Sequence, residues 1–312
     1  MKPDPNFEQI AELWESDKRN FVKVSTMAAY SLIIRNHLLP FFRSMCFIDE
    51  NSVQDFVMLK LSEGLSQKSV KDILRVLKMI VKFGAKSGNL NAADWEIRFP
   101  KDNAPRELPV LTLSQQRILM EYIANNFTFR NLGILICLHT GMRIGEICAL
   151  KWSDFNTSEG LITVSKTIGR VYRIDGDRPK SEVIISSPKT ANSFREIPMT
   201  KQLLRIIKSL KGFINDDYYV LTNSLRPTEP RTYRNYYNRL LSSLSLPRVK
   251  FHGLRHSFAT RCIESHCDYK TVSVILGHAN IATTLNLYVH PDLDQKKRCV
   301  AKMMRAFGKD RQ

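Results

Sequence analysis

In the first third of the chain, hydrophobic positions recur every three or four residues, which is the period of an amphipathic helix. One predicted helix is capped by Ser25 or Thr26 and ends near Pro40, whose ring removes a backbone donor. A second begins after Ser66 and ends near Gly88. The apolar faces consist of Tyr30, Ile33, Ile34 and Leu38 in the first helix and Val70, Ile73, Leu74, Leu77, Ile80 and Val81 in the second. The pattern predicts a helical first domain.

The segment 98–109 contains three prolines and follows neither a helical nor a strand period, which is typical of a linker. We place the boundary at about residue 103, between domains 1–103 and 104–312. Helical periodicity resumes over 114–126, 130–139 and 144–150 and again from residue 200. Between these helical regions lie four β-branched runs, LITVSKTI, RVYRI, SEVIISS and REIPM. The prediction is a mainly α protein with a small antiparallel β-sheet in the second domain.

The charge balance indicates a polyanionic partner. The 312 residues include 47 Lys and Arg against 30 Asp and Glu, giving a net charge of +17 and a pI near 9.7. Nucleic acid is the first candidate and an anionic membrane surface the second. The membrane is disfavoured because no apolar run approaches the roughly 18 residues of a span and the N-terminus lacks the apolar core of a signal peptide. The six cysteines form no C-x-x-C pair, which fits a reducing cytoplasm.

Basic residues recur at helical spacing along the second predicted helix, on a different face from its apolar residues. They are Lys68, Lys71, Arg75, Lys78, Lys82 and Lys86. A solvated helix face is the ordinary explanation, but such a face normally mixes signs and this stripe contains no acidic residue. We therefore favour a surface that follows DNA phosphates.

Arg143 lies in HTGMRIGEICALKW, where Gly141 ends one predicted helix and a second begins. An arginine at a helix N-terminus is unfavourable unless an anion lies between the guanidinium and the helix. The alternative is an ion pair with Glu146, one turn further on.

His252 and Arg255 lie one turn apart in FHGLRHSFATRCI, so a helix places both on one face. Two neighbouring donors suit an oxyanion whose charge grows during a reaction. The alternatives are a capping histidine with a surface arginine, or a zinc site. Zinc is suggested by the spacing of His252 and His256 with Cys262, His266 and Cys267 nearby, but no closed four-ligand spacing emerges.

Two further stretches are ambiguous by themselves. Lys189 lies in a predicted β-turn, where a lysine is normally exposed but can protonate a leaving oxygen if the turn reaches over a polyanion. The segment 271–290 predicts a helix, a turn at Gly277 with His278, and a second helix that contains Tyr288. A helix-turn-helix is one interpretation, although the second helix has few basic residues for a groove reader. Tyr288 alone is an ordinary packing residue.

Taken together and in this order, the stretches resemble the tyrosine recombinase (phage integrase) family. The matching motifs are Arg143 in TGMRIGEI, Lys189 in PKTANSFREIP, His252 and Arg255 in HGLRHSFAT, and His278 and Tyr288 in LGHANIATTLNLYVH. The resemblance implies a C-shaped clamp of two domains, a helical core DNA-binding domain and an α+β catalytic domain. It also implies a site-specific recombinase or integrase that acts through a 3′-phosphotyrosyl intermediate and a Holliday junction, with integration, excision or inversion as the outcome.

The resemblance assigns a role to each motif residue. Arg143 and Arg255 are expected to grip one scissile phosphate, Tyr288 to attack phosphorus, His252 to act as the base and Lys189 to protonate the leaving 5′-oxygen.

The remaining expectations concern the surroundings of this site. His278 is expected to hydrogen-bond the phosphate, Glu146 to orient the site and His256 to make a structural hydrogen bond. The reaction requires no metal, nucleotide or other cofactor, because the phosphodiester energy is kept in the phosphotyrosine.

Beyond Tyr288, a predicted C-terminal packing helix carries Val300, Met303, Met304 and Phe307 on one face. It folds onto its own core or, as the family suggests, joins a homotetramer on double-stranded DNA with paired recombination sites. We expect a cytoplasmic, nucleoid-associated bacterial protein. The alternatives from the same residues are a non-catalytic helix-turn-helix protein, in which Tyr288 only packs, and a topoisomerase.

Overall fold

The computed structural model describes residues 5–86, 95–101, 110–175, 178–187, 194–285, 297, 300–301 and 303–304. Contacts divide the chain into two compact units, Met1–Pro105 with Arg170–Glu182 and Arg106–Gly169 with Val183–Gln312. Each unit contains its own hydrophobic core. Within the described ranges, no helix has the length and apolar character needed to cross a membrane.

The first unit is built from helices around an aromatic core. They are α1 (Phe7–Lys18), α2 (Val24–Ile33), α3 (Leu39–Phe42), α4 (Glu50–Ser62) and α5 (Gln67–Lys86). At the centre, the Phe42 ring contacts those of Phe7 and Phe56, with centroids 5.8 and 5.0 Å away. Helix α5 packs against α1, α2 and α4 with the predicted apolar face, all of which is buried. The amphipathic pattern of this helix is thereby confirmed.

The helix predicted to end near Pro40 continues to Phe42 through one widened turn. Residues Ile34–Leu38 form a π-helical turn, and Leu39 N–H donates to Ile34 O, five residues earlier. Pro40 is the second residue of α3 and has no N–H, so the wider turn relieves the clash between its ring and the preceding turn. The N-cap is Lys23, so the prediction of a Ser25 or Thr26 cap was wrong.

The second unit combines helices with a small sheet. Its helices are α6 (Leu113–Asn125), α7 (Phe129–Thr140), α8 (Ile144–Ala149), α9 (Lys201–Ser209), α10 (Pro230–Ser243), α11 (Phe251–Glu264), α12 (Tyr269–Leu276) and α13 (Ala282–Leu285). Helix α7 is buried along most of its length and packs against α11, α6, α8 and α9. The C-terminal end of this central helix leads into the turn at Gly141, which is next to the first candidate residue, Arg143.

The strands are β1 (Phe155–Asn156), β2 (Leu161–Val164), β3 (Thr167–Asp175), β4 (Arg178–Ser186) and β5 (Arg195–Pro198). They form two sheets rather than the single sheet predicted: a three-stranded antiparallel sheet in the order β1-β2-β5, and a pair of β3 with β4. The run LITVSKTI therefore contains two strands, because the chain leaves the first sheet after Val164 and re-enters β structure at Thr167. In β5 the inward positions are Arg195 and Ile197.

Candidate active site

Arg143 lies at the tight junction between α7 and α8. Gly141 ends α7 in the left-handed conformation with φ 66°. A Cβ on Gly141 would lie 2.5 Å from Leu276 and 2.6 Å from Phe258, so the close approach and the backbone both require glycine. Arg143 is then the N-cap of α8, as the sequence predicts.

The Arg143–Glu146 ion pair proposed as an alternative is present. Arg143 Nη1 lies 2.9 Å from Glu146 Oε1, and the Arg143 backbone N–H donates to Oε2 at 2.8 Å. The pair does not occupy the whole guanidinium, because Nη2 also donates to Gly277 O at 2.9 Å and the side chain stays 36% exposed. A held but accessible guanidinium can bind a further anion.

Arg255 is buried rather than on the surface, with a residue exposure of 1%. It projects from α11 and donates from Nη1 to Gly141 O at 2.8 Å and from Nη2 to Leu276 O at 2.7 Å. Burial first, and the charge of Arg143 second, lower the pKa of Arg255 to about 9. The guanidinium therefore remains charged at neutral pH.

Arg195 belongs to the same cluster and was not predicted from the sequence. It donates from Nε to Ile275 O at 2.6 Å, and from Nη1 and Nη2 to the two carboxylate oxygens of Glu146 at 3.1 and 2.9 Å. The sequence did contain a signal for it. In a strand, residues two apart point to the same face, so an arginine two residues before the apolar Ile197 in REIP is expected to point inward.

Three arginines therefore bind three consecutive carbonyls at the C-terminal end of α12. Arg195 binds Ile275 O, Arg255 binds Leu276 O and Arg143 binds Gly277 O. The C-terminal end of a helix carries partial negative charge, which stabilises cations. This helix end brings together side chains that are far apart in the sequence.

The histidines His252 and His278 lie beside these arginines. His252 lies in the first turn of α11, and its ring meets that of His256 edge to face at 4.5 Å. His278 follows Gly277, and its Nδ1 lies 2.8 Å from Thr284 Oγ1. Partial burial lowers the pKa of both His252 and His278 to about 4, and the charges of Arg143 and Arg255 contribute to both shifts. Both rings are consequently neutral at pH 7.

Glu146 is 3% exposed and is shared between Arg195 and Arg143. Burial alone would raise the pKa of its carboxyl, but the hydrogen bonds and charge of Arg195, followed by those of Arg143, outweigh burial and lower it. Burial, then the charge of Arg255, also lowers the pKa of the His256 ring. Across the described ranges, no group of three or more His, Cys, Asp or Glu side chains is placed to hold a metal ion.

Two residues that the sequence assigns to the site, Lys189 and Tyr288, lie outside the described residues, as does Phe307 of the C-terminal tail. The structure therefore brings together Arg143, His252, Arg255 and His278, with Glu146 and His256 against them. The described part of 271–290 contains the predicted helix α12, the turn at Gly277 and the short helix α13, and Arg255 and Arg143 bind the carbonyls of Leu276 and Gly277 at this turn.

The basic stripe of α5 belongs to the first unit. All six members are exposed. Lys71 Nζ lies 4.7 Å from the centre of the Phe99 ring, and Arg75 pairs with Asp72 at 2.9 Å. Asp72 gives the stripe one acidic neighbour, which offsets part of the positive charge at Arg75, and the binding of DNA phosphates by this surface stays a prediction.

Two family models match this chain. Residues 109–295 match the phage integrase family, and residues 6–58 match the phage integrase N-terminal SAM-like domain. The first match contains every candidate catalytic residue and covers more than half of the chain.

Individual relatives agree with these matches. A protein named tyrosine recombinase XerC-like from Caldanaerobacter subterraneus is 28% identical over 308 residues, covering 92% of this chain and 75% of the relative. The transposase from transposon Tn916 of Enterococcus faecalis is 25% identical over 272 residues, covering 81% of this chain and 65% of that protein.

The fold agrees as well. The structure of the Tn1549 transposon integrase in complex with transposon right end DNA superposes with a TM-score of 0.74 at 25% identity, covering 95% of this chain and 98% of that one. The predicted fold class, mainly helical with a small part of antiparallel β structure, is thereby confirmed, although the strands form two sheets and not one. The chain belongs to the phage integrase family and is a tyrosine recombinase, an enzyme that breaks and rejoins DNA strands.

Proposed function

We propose that this protein catalyses site-specific recombination of a mobile DNA element, by integration, excision or inversion, through a 3′-phosphotyrosyl intermediate and a Holliday junction. The observation that supports this best is the cluster of Arg143 and Arg255, held on neighbouring carbonyls with the neutral rings of His252 and His278 beside them. The positive charge is fixed before any phosphate arrives, which is the arrangement that stabilises a developing oxyanion.

The two arginines would bind the non-bridging oxygens of one scissile phosphate. Arg143 is accessible, and its Nη2 hydrogen bond to Gly277 O leaves further N–H groups to donate. Among the described residues, Arg255 Nε has no hydrogen-bond partner. A buried donor in this state costs free energy, which a phosphate oxygen would recover.

Proton transfers complete the reaction. Tyr288 would attack phosphorus, forming the phosphotyrosyl bond as the bond to the 5′-oxygen breaks. His252 would accept the phenolic proton, since the ring is neutral at pH 7, and a bound phosphate would raise the ring's pKa and make it a better base. Lys189 would protonate the 5′-oxygen, and His278 would donate to the phosphate. A second 5′-hydroxyl then reverses these steps, so no metal or nucleotide is consumed.

The proposal also covers the supporting residues of the site, the DNA-binding surface and the assembly. Glu146 would orient Arg143, and His256 would support His252. Double-stranded DNA with paired sites would bind along the α5 stripe of a core-binding domain that ends near residue 103. Four copies would assemble on DNA through the C-terminal helix, in the bacterial cytoplasm with the nucleoid.

The test is covalent trapping. A nicked duplex made from DNA that flanks the gene should give an SDS-resistant adduct, because loss of the short strand beyond the nick prevents rejoining. Tyr288→Phe should abolish the adduct, since phenylalanine has no nucleophilic oxygen.

Tyr269→Phe is the matched control, because Tyr269 is a partly exposed tyrosine in α12 and has no role in the proposed chemistry. An adduct that survives Tyr288→Phe but is lost in another variant would show that the nucleophile is misassigned. Relaxation of plasmids that lack the site would favour a topoisomerase.

A further inference from the structure

Arg195 has no role in the proposed reaction, yet all three of its guanidinium nitrogens donate hydrogen bonds within the second unit. Its side chain is 4% exposed, and it occupies an inward position of β5, opposite Val164 of β2. A burial of this extent is costly for a guanidinium unless it is fully paired. Hydrophobic residues normally occupy such a position, so the arginine needs an explanation beyond packing.

We propose that Arg195 is a positioning residue for strand cleavage, which holds Glu146 and the end of α12 so that Arg143 and Arg255 meet the scissile phosphate. The inference rests on the proposed function, because it assigns Arg195 an effect on the two arginines that would bind that phosphate.

Arg195 and Arg143 share the carboxylate of Glu146. Arg195 binds both carboxylate oxygens through its two terminal nitrogens, which leaves Arg143 a single side-chain bond to Oε1. Bidentate pairing fixes the plane of the carboxylate. Without Arg195, the buried carboxylate would either draw the Arg143 guanidinium onto itself or take up a proton. Either change would move Arg143 from the position in which it can receive a phosphate.

Arg195 also donates a hydrogen bond to Ile275 O. This carbonyl immediately precedes Leu276 O and Gly277 O, which hold Arg255 and Arg143. Arg195 thus ties the β2–β5 sheet to the segment that positions both phosphate-binding arginines. A small displacement of that segment would misplace both groups, and such misplacement is costly for catalysis.

The experiment compares strand cleavage with DNA binding. The adduct-forming rate constant at saturating nicked duplex and the Kd for the same duplex are measured for wild type and Arg195→Gln. We expect the rate to fall roughly tenfold to a hundredfold, as for a misplaced reacting group, with the Kd unchanged. The acid limb of the rate profile should move to higher pH in the variant, because the cation that chiefly lowers the pKa of Glu146 is gone.

Further variants separate positioning from folding. Arg195→Lys should recover only part of the rate, because an ammonium cannot form the two-oxygen fork. Combining Glu146→Gln with Arg195→Gln removes both buried charges and should be about as slow as Arg195→Gln alone, since the two residues act together. Arg261→Gln is the matched control, because Arg261 pairs with Glu264 on the more exposed part of α11. It should change neither quantity.

Three results would overturn the proposal: a wild-type rate in folded Arg195→Gln, a wild-type rate in the double variant, or a slower rate explained entirely by weaker DNA binding. If Arg195→Gln does not fold, the double variant and Arg195→Lys decide the question. Failure of the wild type to form an adduct would instead count against the proposed function.

Discussion

The fold lowers the pKa of Arg255 and of two neighbouring histidines, with different results for their charges at neutral pH. Arg255 remains a cation at neutral pH because its pKa falls only to about 9. His252 and His278 become neutral because partial burial, together with these cations, lowers the pKa of each ring to about 4. The site therefore offers fixed positive charge for a phosphate and uncharged imidazole for proton transfer.

The histidine pKa values can be measured directly. We expect the imidazole resonances of His252 and His278 to titrate near pH 4 in the DNA-free protein and at higher pH with bound duplex, whose charge favours the imidazolium. The spectra of His252→Gln and His278→Gln assign the signals. Titration of both rings near the ordinary value of about 6.5 would show that they do not experience the cationic cluster.

The same shifts predict a pH dependence of stability. Each ring binds a proton less readily in the folded state, so the unfolded chain holds more protons between about pH 4 and about pH 6.5. Their contribution to the free energy of unfolding is therefore complete above that window and disappears as the pH falls through it. Urea denaturation should show a weaker acid destabilisation in His252→Gln than in wild type, and an equal pH dependence would contradict the shift.

At the scale of elements, the features that depend on neighbouring residues were predicted correctly from the sequence. The features that depend on pairing between distant segments were not. The α5 face follows from apolar spacing because a helix is set by neighbours three and four residues away. The division of LITVSKTI between two sheets depends on β5, more than 30 residues later, so the run itself carried no sign of it. Local motifs led to the choice of Arg143 and Arg255 as candidates, whereas Arg195 was missed because its partners, Glu146 and Ile275, are distant in sequence.

The α5 stripe makes a prediction about salt. If its exposed lysines neutralise phosphates, Lys78→Gln combined with Lys82→Gln should weaken duplex binding and reduce the slope of log K against log salt by about 0.9 for each phosphate that is no longer neutralised. Binding is measured by fluorescence anisotropy from low to physiological salt. Arg19→Gln, an exposed cation after α1, is the control and should leave the slope unchanged. An unchanged slope in the double variant would assign the stripe to a solvated face.

At the scale of the whole molecule, the two units carry separable properties. The four described candidate catalytic residues and Arg195 lie in the second unit, and the α5 stripe lies in the first. The net charge of +17 attracts DNA to the chain as a whole but carries no information on where strands are cut. Affinity and cleavage should therefore respond to different substitutions, and the proposed assembly of four copies on DNA should depend on a third set.

Substitutions in the C-terminal tail can test the proposed assembly of copies on DNA. Val300, Met303 and Met304 are 58%, 51% and 59% exposed, and they lie at helical spacing on one face. If this face joins neighbouring copies, Met303→Glu combined with Met304→Glu should reduce tetramers on a duplex with paired sites, because a carboxylate is costly to bury. Mass photometry measures the assembly, and adduct formation on a single site should continue.

The control for this substitution is Phe213→Glu, which places a charge at another exposed apolar residue, 76% exposed and outside the tail. It should leave assembly unchanged. If both tail substitutions also leave the tetramer intact, the tail does not join the copies, and the interface must lie on other surfaces of the protein. If they abolish single-site cleavage as well, the tail acts within its own subunit, since a contact between copies is not needed to cut one site.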